Sequence, residues 1–263
     1  YSGGPDYVAI VESWNGTNWT EVNDLNQLRS AVAGVGADNT AALAFGGSEP
    51  SNSAKTESWS GTNWTEITDL NTARYFLAGS GTQTSALAAG GQISSPTGAT
   101  EEFTAGSANI GAWTTGGDLN TARKAGMGYG DTEAAMFAGG EDPSPGVTAD
   151  TEVYNGTNWT EVNNLNTARW AGASFGTDTS GIAVNGGAPS RVDNTESWNG
   201  TNWTEVNDTN DTTYFNAGAG ASNSSGIEFG GNPGPGVGSA LTESWNGTNW
   251  TEVNDLNTPR ASL

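Results

Sequence analysis

The side chains in this chain that could do chemistry are nearly all carboxylates. There are 29 Asp and Glu against eight Lys and Arg, with no His and no Cys, for a formal charge of −21. Without His or Cys there can be no Ser-His-Asp triad, thiol nucleophile or imidazole metal centre. What remains is a carboxylate pair of the glycosidase kind, an acid and a base or nucleophile flanking a sugar bond. Glu49, Glu133, Glu141, Asp142 and Glu228 are its candidates, because they lie outside the positions that recur along the chain. Roles as solvated loop acids account for them more simply. Asp24, Asp69, Asp118, Asp208 and Asp255 do recur at one position, and oxygen-rich loops suit calcium. They lack an EF-hand spacing, so turn and capping roles fit them better. No cofactor, no metal and no enzymatic activity are expected.

The cations tell more. Five of the eight, Arg29, Arg74, Arg123, Arg169 and Arg260, share one repeat position, which in another copy holds Thr213. A chain so short of positive charge that spends most of it at one position implies a structural role. Each guanidinium is expected to be partly buried, bonded to loop carbonyls or to a carboxylate. The recurring Glu12, Glu57, Glu102, Glu152, Glu196 and Glu243 are the expected partners, in two-point fork geometry.

These side chains must be positioned by a repeat. The phrase Glu12-Ser-Trp-Asn-Gly-Thr-Asn-Trp-Thr-Glu-Val-Asn-Asp-Leu-Asn returns nearly unchanged, with looser versions around Trp64 and Trp113. The second Trp falls at 19, 64, 113, 159, 203 and 250, a period of 44 to 49 residues. That length marks an array of one supersecondary unit. Between Arg29 and Arg74 the unit reads as four short strands: residues 30–36, 41–45, 55–59 and 63–68. No helical period occurs anywhere. Gly16-Thr17 is expected to be a two-residue hairpin loop with Gly at positive φ, which sets Trp14 opposite Trp19. Trp59 and Trp64, Trp198 and Trp203, and Trp245 and Trp250 keep the same spacing, as do Tyr154 and Trp159. Phe103 and Trp113 are ten apart, so that hairpin carries a longer loop. Gly pairs at 3–4, 46–47, 90–91, 139–140, 186–187 and 230–231 mark close backbone approach or positive φ.

Gly46-Gly47, Glu57, Trp59, Trp64 and Arg74 together resemble the kelch repeat of galactose-oxidase-type β-propellers. The likeness runs through six copies, although the turn between the aromatic positions is shorter and Trp replaces Tyr in four of them. It implies an all-β, six-bladed propeller of four-stranded blades, a single domain over residues 1–263, of a kind that often serves as a binding platform. The copper chemistry of galactose oxidase needs His and a Cys-linked Tyr, so that activity does not carry over. The wording of the copies also resembles repeats in structural or appendage proteins of marine bacteriophages. The Arg position leads the next Gly pair by 16 or 17 residues. Joining the two ends would leave a copy about ten or eleven residues short. Either residues 261–263 begin the inner strand of a blade that residues 1–23 complete, or the chain continues beyond them.

Composition bounds the partners. Only 34% of residues are hydrophobic and 39 are Gly, so eleven Trp must supply much of the burial. The acidic surface repels phosphate backbones and anionic membranes. No run approaches the roughly 20 apolar residues of a membrane span. Specificity is expected in the variable loops 48–54, 92–99, 141–150 and 232–240, on a rigid scaffold. The function expected is a structural or attachment module on a virion or other extracellular surface, with protein neighbours or a host-surface glycan as partners. A lectin is the alternative reading, with Trp170 and Tyr214 as ligand-binding residues because they lie outside the repeated Trp positions. A glycan-degrading enzyme is the remaining one.

Overall fold

The computed structural model describes residues 7–106, 111–144, 146–234 and 237–261. It opens with a hairpin, β1 (Val11–Trp14) and β2 (Trp19–Val22). Five four-stranded antiparallel sheets follow. The first is β3 (Ala33–Asp38), β4 (Ala41–Phe45), β7 (Thr56–Trp59) and β8 (Trp64–Glu66), with a small ribbon β5 (Ser48–Glu49) and β6 (Ser51–Asn52) in its loop. The second is β9 (Ala78–Gly81), β10 (Ser85–Ala89), β11 (Thr100–Ala105) and β12 (Gly111–Thr115). The third is β13 (Met127–Gly130), β14 (Ala135–Ala138), β15 (Thr151–Tyr154) and β16 (Trp159–Val162). The fourth is β17 (Ala173–Thr177), β18 (Ser180–Val184), β19 (Thr195–Trp198) and β20 (Trp203–Glu205). The fifth is β21 (Ala217–Ser222), β22 (Ser225–Phe229), β23 (Thr242–Trp245) and β24 (Trp250–Glu252). The innermost strands β3, β9, β13, β17 and β21 pack on one another in that order around an axis.

This corrects the expected count. The described residues build five four-stranded blades, not six, because the copy containing Trp14 and Trp19 supplies only two strands. That hairpin still sits between the fifth and first blades. Trp19 packs on Phe229 at 4.7 Å, and Asn23 donates to Thr62 at 2.8 Å. Gly3, Gly4, Ser262 and Leu263, on which the expected closure by the termini rested, lie outside the described residues.

Glycine and alanine line the inner strands because neighbouring backbones nearly touch. A Cβ on Gly128 would lie 2.5 Å from that of Ala78, and one on Gly79 would lie 2.9 Å from Val35. The expected hairpin register holds. Trp14 faces Trp19 and Phe103 faces Trp113, with Gly16 at φ 93°. The second indole of each copy packs against the preceding blade, and its Nε1 donates to a Thr there. Trp113 reaches Thr56 at 3.2 Å, Trp159 reaches Thr100 at 3.0 Å, and Trp250 reaches Thr195 at 3.0 Å. Trp64 is the exception. Its buried Nε1 has no partner among the described residues, because Val11 stands where the other copies place Thr.

Four of the five Arg side chains are almost wholly buried, more than the sequence suggests. Arg123 Nη1 donates to the carbonyls of Gly139 and Asp150 at 2.9 and 2.6 Å, and its Nη2 reaches Glu152 at 2.6 Å. The expected two-point fork is replaced by this split. The second carboxylate oxygen instead accepts from the backbone and side-chain amides of Asn120, at 2.8 and 2.7 Å. Asn26, Asn71, Asn166 and Asn257 do the same, always three residues before the Arg. In the second blade the partner is Glu101, not Glu102. Phe103 stands for Trp in that blade, so counting back from it makes Glu101 the counterpart of Glu57. Glu102 instead accepts from Tyr154, and burial together with that bond pushes the phenol up to about 12. Burial pulls each guanidinium below its ordinary value, and the paired carboxylate partly restores it.

Two stability changes follow. Val11→Thr should give Trp64 its missing acceptor and stabilise by about 1 kcal/mol, read from the urea midpoint. Arg123→Met should destabilise by about 3–5 kcal/mol by stranding Glu152, and adding Glu152→Leu should recover most of that loss.

Candidate functional site

After each Arg the backbone follows one path. The next residue bridges to the loop after the Gly pair: Ser30 to Ser48, Tyr75 to Gln92, Lys124 to Glu141, Trp170 to Gly187, and Tyr214 to Asn232. The residue after that is left-handed, at φ 49–58° for Ala31, Phe76, Ala125, Ala171 and Phe215. For non-glycine residues this conformation is strained and persists only where surroundings hold it. Here they do: Ala125 N–H donates to Phe76 O at 2.8 Å, Ala171 to Ala125 at 2.7 Å, and Phe215 to Ala171 at 2.6 Å. A chain of hydrogen bonds therefore links consecutive blades around the axis.

That path presents two adjacent side chains per blade at one end of the ring. Trp170 lies 5.9 Å from Tyr214 and 5.2 Å from Phe215. Phe76 stacks on Phe215 at 5.2 Å, and Tyr75 lies beside Phe76 at 4.8 Å. The Arg191 guanidinium stands 5.2 Å over the Tyr214 ring, a cation–π contact. All six residues are half-buried. A cavity of about 80 Å³ sits on the axis among Ala31, Phe76, Ala125, Ala171 and Phe215. The structure thus brings together Trp170 and Tyr214, which the sequence had flagged separately. Sequence reasoning missed Tyr75, Phe76, Phe215 and Arg191. For the first three the signal was available: each lies one or two residues after the Arg position.

The acidic candidates are not gathered. Glu49 is in β5, Glu133 and Asp142 are in turns of the third blade, and Glu141 pairs with Lys124 at 3.5 Å. Among the described residues no three or more His, Cys, Asp or Glu are grouped to hold a metal. Asp69, Asp118, Asp208 and Asp255 instead accept the backbone N–H of Thr56, Thr100, Thr195 and Thr242 at 3.1–3.2 Å.

Glu228 is different, being buried beside the position that has lost its Arg. It is the cross-strand neighbour of Glu243. With Thr213 in the Arg position, Asn216 Nδ2 donates to Glu228 at 2.7 Å and Asn210 Nδ2 to Glu243 at 2.8 Å. Asn185, at φ 59°, donates to Thr213 at 3.0 Å. Asn185 also corrects the fourth-blade Gly pair. The structural equivalents are Asn185 and Gly186, whose N–H groups bond as those of Gly46 and Gly47 do, so Gly186-Gly187 is one residue out of register.

No family model matches the chain, and no curated protein matches it. The solved structure of YjhT superimposes with a TM-score of 0.74, over 91% of this chain and 88% of that one. The chain is a β-propeller. At 12% identity, the likeness to YjhT carries the fold alone.

Burial, with repulsion from Glu243 and Asp211, pushes the Glu228 carboxyl up to about 8, against the opposing bond from Asn216. Below its ordinary value of 4.5 the group is neutral whether folded or unfolded, so it has no pH-linked effect there. Between 4.5 and 8 the unfolded chain ionises more readily, so the folded state loses stability as pH rises. Glu228→Gln should therefore raise Tm at pH 8 and leave it nearly unchanged at pH 4.5. Each tenfold difference in proton affinity between the folded and unfolded chains is worth about 1.4 kcal/mol, so the gain at pH 8 should be several kcal/mol by thermal unfolding.

Proposed function

We propose that this propeller is a non-enzymatic attachment module, part of a virion appendage or another extracellular assembly, whose aromatic face makes the contact. One observation carries the reading. Five blades share a nearly constant framework, yet the residue after the Arg position is Ser30, Tyr75, Lys124, Trp170 and Tyr214 in turn. Variation at a displayed position on a rigid frame is what a binding surface needs. Half-buried aromatic rings beside a guanidinium are the residue types that dominate binding energy at interfaces. The formal charge of −21 supports a partner that is neither nucleic acid nor an anionic membrane.

A second reading has its own support: a carbohydrate as the ligand. The Trp170 and Tyr214 rings, 5.9 Å apart and half-buried, offer apolar faces to a sugar ring. The Arg191 guanidinium over Tyr214 could bond hydroxyls or an acidic sugar. A glycan array, followed by calorimetry on any hit, separates the two. Saturable sugar binding that Trp170→Ala weakens by about 2 kcal/mol, roughly thirty-fold in Kd, supports the lectin. If no glycan binds, but Trp170→Ala releases the protein from its particle or cell-surface neighbour, the ligand is a protein. Retention on the particle by the Trp170→Ala, Tyr214→Ala double variant would overturn the aromatic face as the contact, and glycan turnover would overturn the non-enzymatic reading.

A further inference from the structure

The fifth blade buries two acids where the other four bury an acid and an arginine. Glu228 and Glu243 are cross-strand partners, 3% and 1% exposed. Opposite the equivalent Glu, the other blades place Ala44, Ala88, Phe137 and Ala183, none of them charged. Arg and Glu sum to zero there. Glu228 and Glu243, when both are ionised, leave two negative charges, and no cation pairs with either among the described residues. The pair faces the fourth blade. Trp245, two residues along β23 from Glu243 and so on the same side of the sheet, packs with Ala173, Phe175, Ile182 and Val184.

Acceptors outnumber donors at this place. Asn216 is 5% exposed and its Nδ2 donates to Glu228 Oε2. Oδ1 of the same planar amide, beside that carboxylate, has no partner among the described residues. A buried polar atom in that state needs an explanation, and a bound ion is one. Backbone oxygens add to the surplus. Arg29 donates to the carbonyls of Gly46 and Lys55, and Arg123 to those of Gly139 and Asp150. The fifth-blade counterparts are Gly230 and Leu241, joined by the same N–H bond at 2.9 Å. With Thr213 in the Arg position, no side chain donates to either carbonyl among the described residues.

We propose that this place between the fourth and fifth blades binds a calcium ion, held by Glu228, Glu243, Asn216 Oδ1 and the carbonyls of Gly230 and Leu241. Two surplus negative charges call for a divalent cation. Calcium takes roughly six to eight oxygens in flexible geometry and accepts neutral carbonyls beside carboxylates, whereas magnesium sheds its water reluctantly. The chain has no His or Cys to favour a softer metal. The recurring Asp69, Asp118, Asp208 and Asp255 are no part of the site, since they accept backbone N–H groups elsewhere. The inference goes beyond the contact proposed for the aromatic face and does not depend on it.

Calorimetry of calcium chloride into the whole chain, stripped with EDTA and held at constant ionic strength, tests it. One saturable site is expected. Glu228→Gln keeps the shape but loses a charge, and should bind at least roughly tenfold more weakly. Thr213→Arg with Glu228→Ala rebuilds the pairing of the first two blades and should lose the site while staying folded by circular dichroism. Burial, with Glu243 and Asp211, pushes the Glu228 carboxyl up to about 8, so calcium displaces a proton there. Wild-type affinity should therefore rise between pH 6 and pH 8. Absence of saturable binding would overturn the proposal, as would equal affinity in wild type and the double variant, which would put the ions on the acidic surface. If the double variant does not fold, unchanged affinity in Glu228→Gln overturns it instead. Magnesium or potassium binding as tightly as calcium would overturn the choice of ion.

Discussion

A charge buried between carbonyls and one carboxylate organises this molecule. Each Arg reaches the Glu of the third strand in the blade it is entering, and four of them also donate to its backbone carbonyls: Arg29 to Gly46 and Lys55, Arg74 to Ala88, Arg123 to Gly139 and Asp150, and Arg169 to Ala183. Its own carbonyl accepts from the preceding blade: Gly47 N–H donates to Arg74 O, and Gly91 N–H to Arg123 O, both at 2.9 Å. One residue therefore fixes the connection between blades from both directions. The desolvation of such a charge is offset only when every nearby acceptor is well placed. The Asn three residues earlier serves the carboxylate instead, so it is present even in the copy that lacks Arg, where Asn210 still holds Glu243.

The connection between blades has a consequence two residues after the Arg position, with or without the Arg itself. The connection is held so firmly that Ala31, Phe76, Ala125, Ala171 and Phe215 all accept a left-handed backbone. Their side chains then need only to be present, because the backbone hydrogen bonds carry the geometry. A position whose structure does not depend on its side chain is free to vary, and here the second and fifth blades carry Phe76 and Phe215, while the fourth has Ala171 with its aromatic, Trp170, one residue earlier. The fifth blade has gone further. Losing its Arg, it holds two buried acids with amide side chains where the other blades use a guanidinium.

Much of the architecture is legible in the sequence because it is local. The two-residue hairpin, the facing indoles and the four short strands depend on spacing within a dozen residues. The pairing of Arg with Glu was legible too, since both types recur in phase. Register errors of one residue are easy where like residues adjoin. Glu101 and Glu102 are adjacent and identical in type, and counting back from Phe103, paired with Trp113, is what selects Glu101. Asn185 was hidden for a related reason: next to two glycines, a left-handed Asn cannot be told from an ordinary one.

The sequence alone determined the hairpin of the blade, because the constant spacing of the paired aromatics, kept by Tyr154 and Trp159, favours the Gly-Thr loop over an Asn15-Gly16 turn that would set Trp14 against Thr17. It could not determine how many full blades the described residues build, since six copies of a phrase do not guarantee six sheets when one copy contributes only two strands among those residues. Nor could it place Trp170, Tyr214, Tyr75 and Phe215 on one surface, as these residues are up to 140 positions apart (Tyr75 to Phe215). Curvature about the axis brings them together, and curvature is a property of how sheets pack rather than of any one strand.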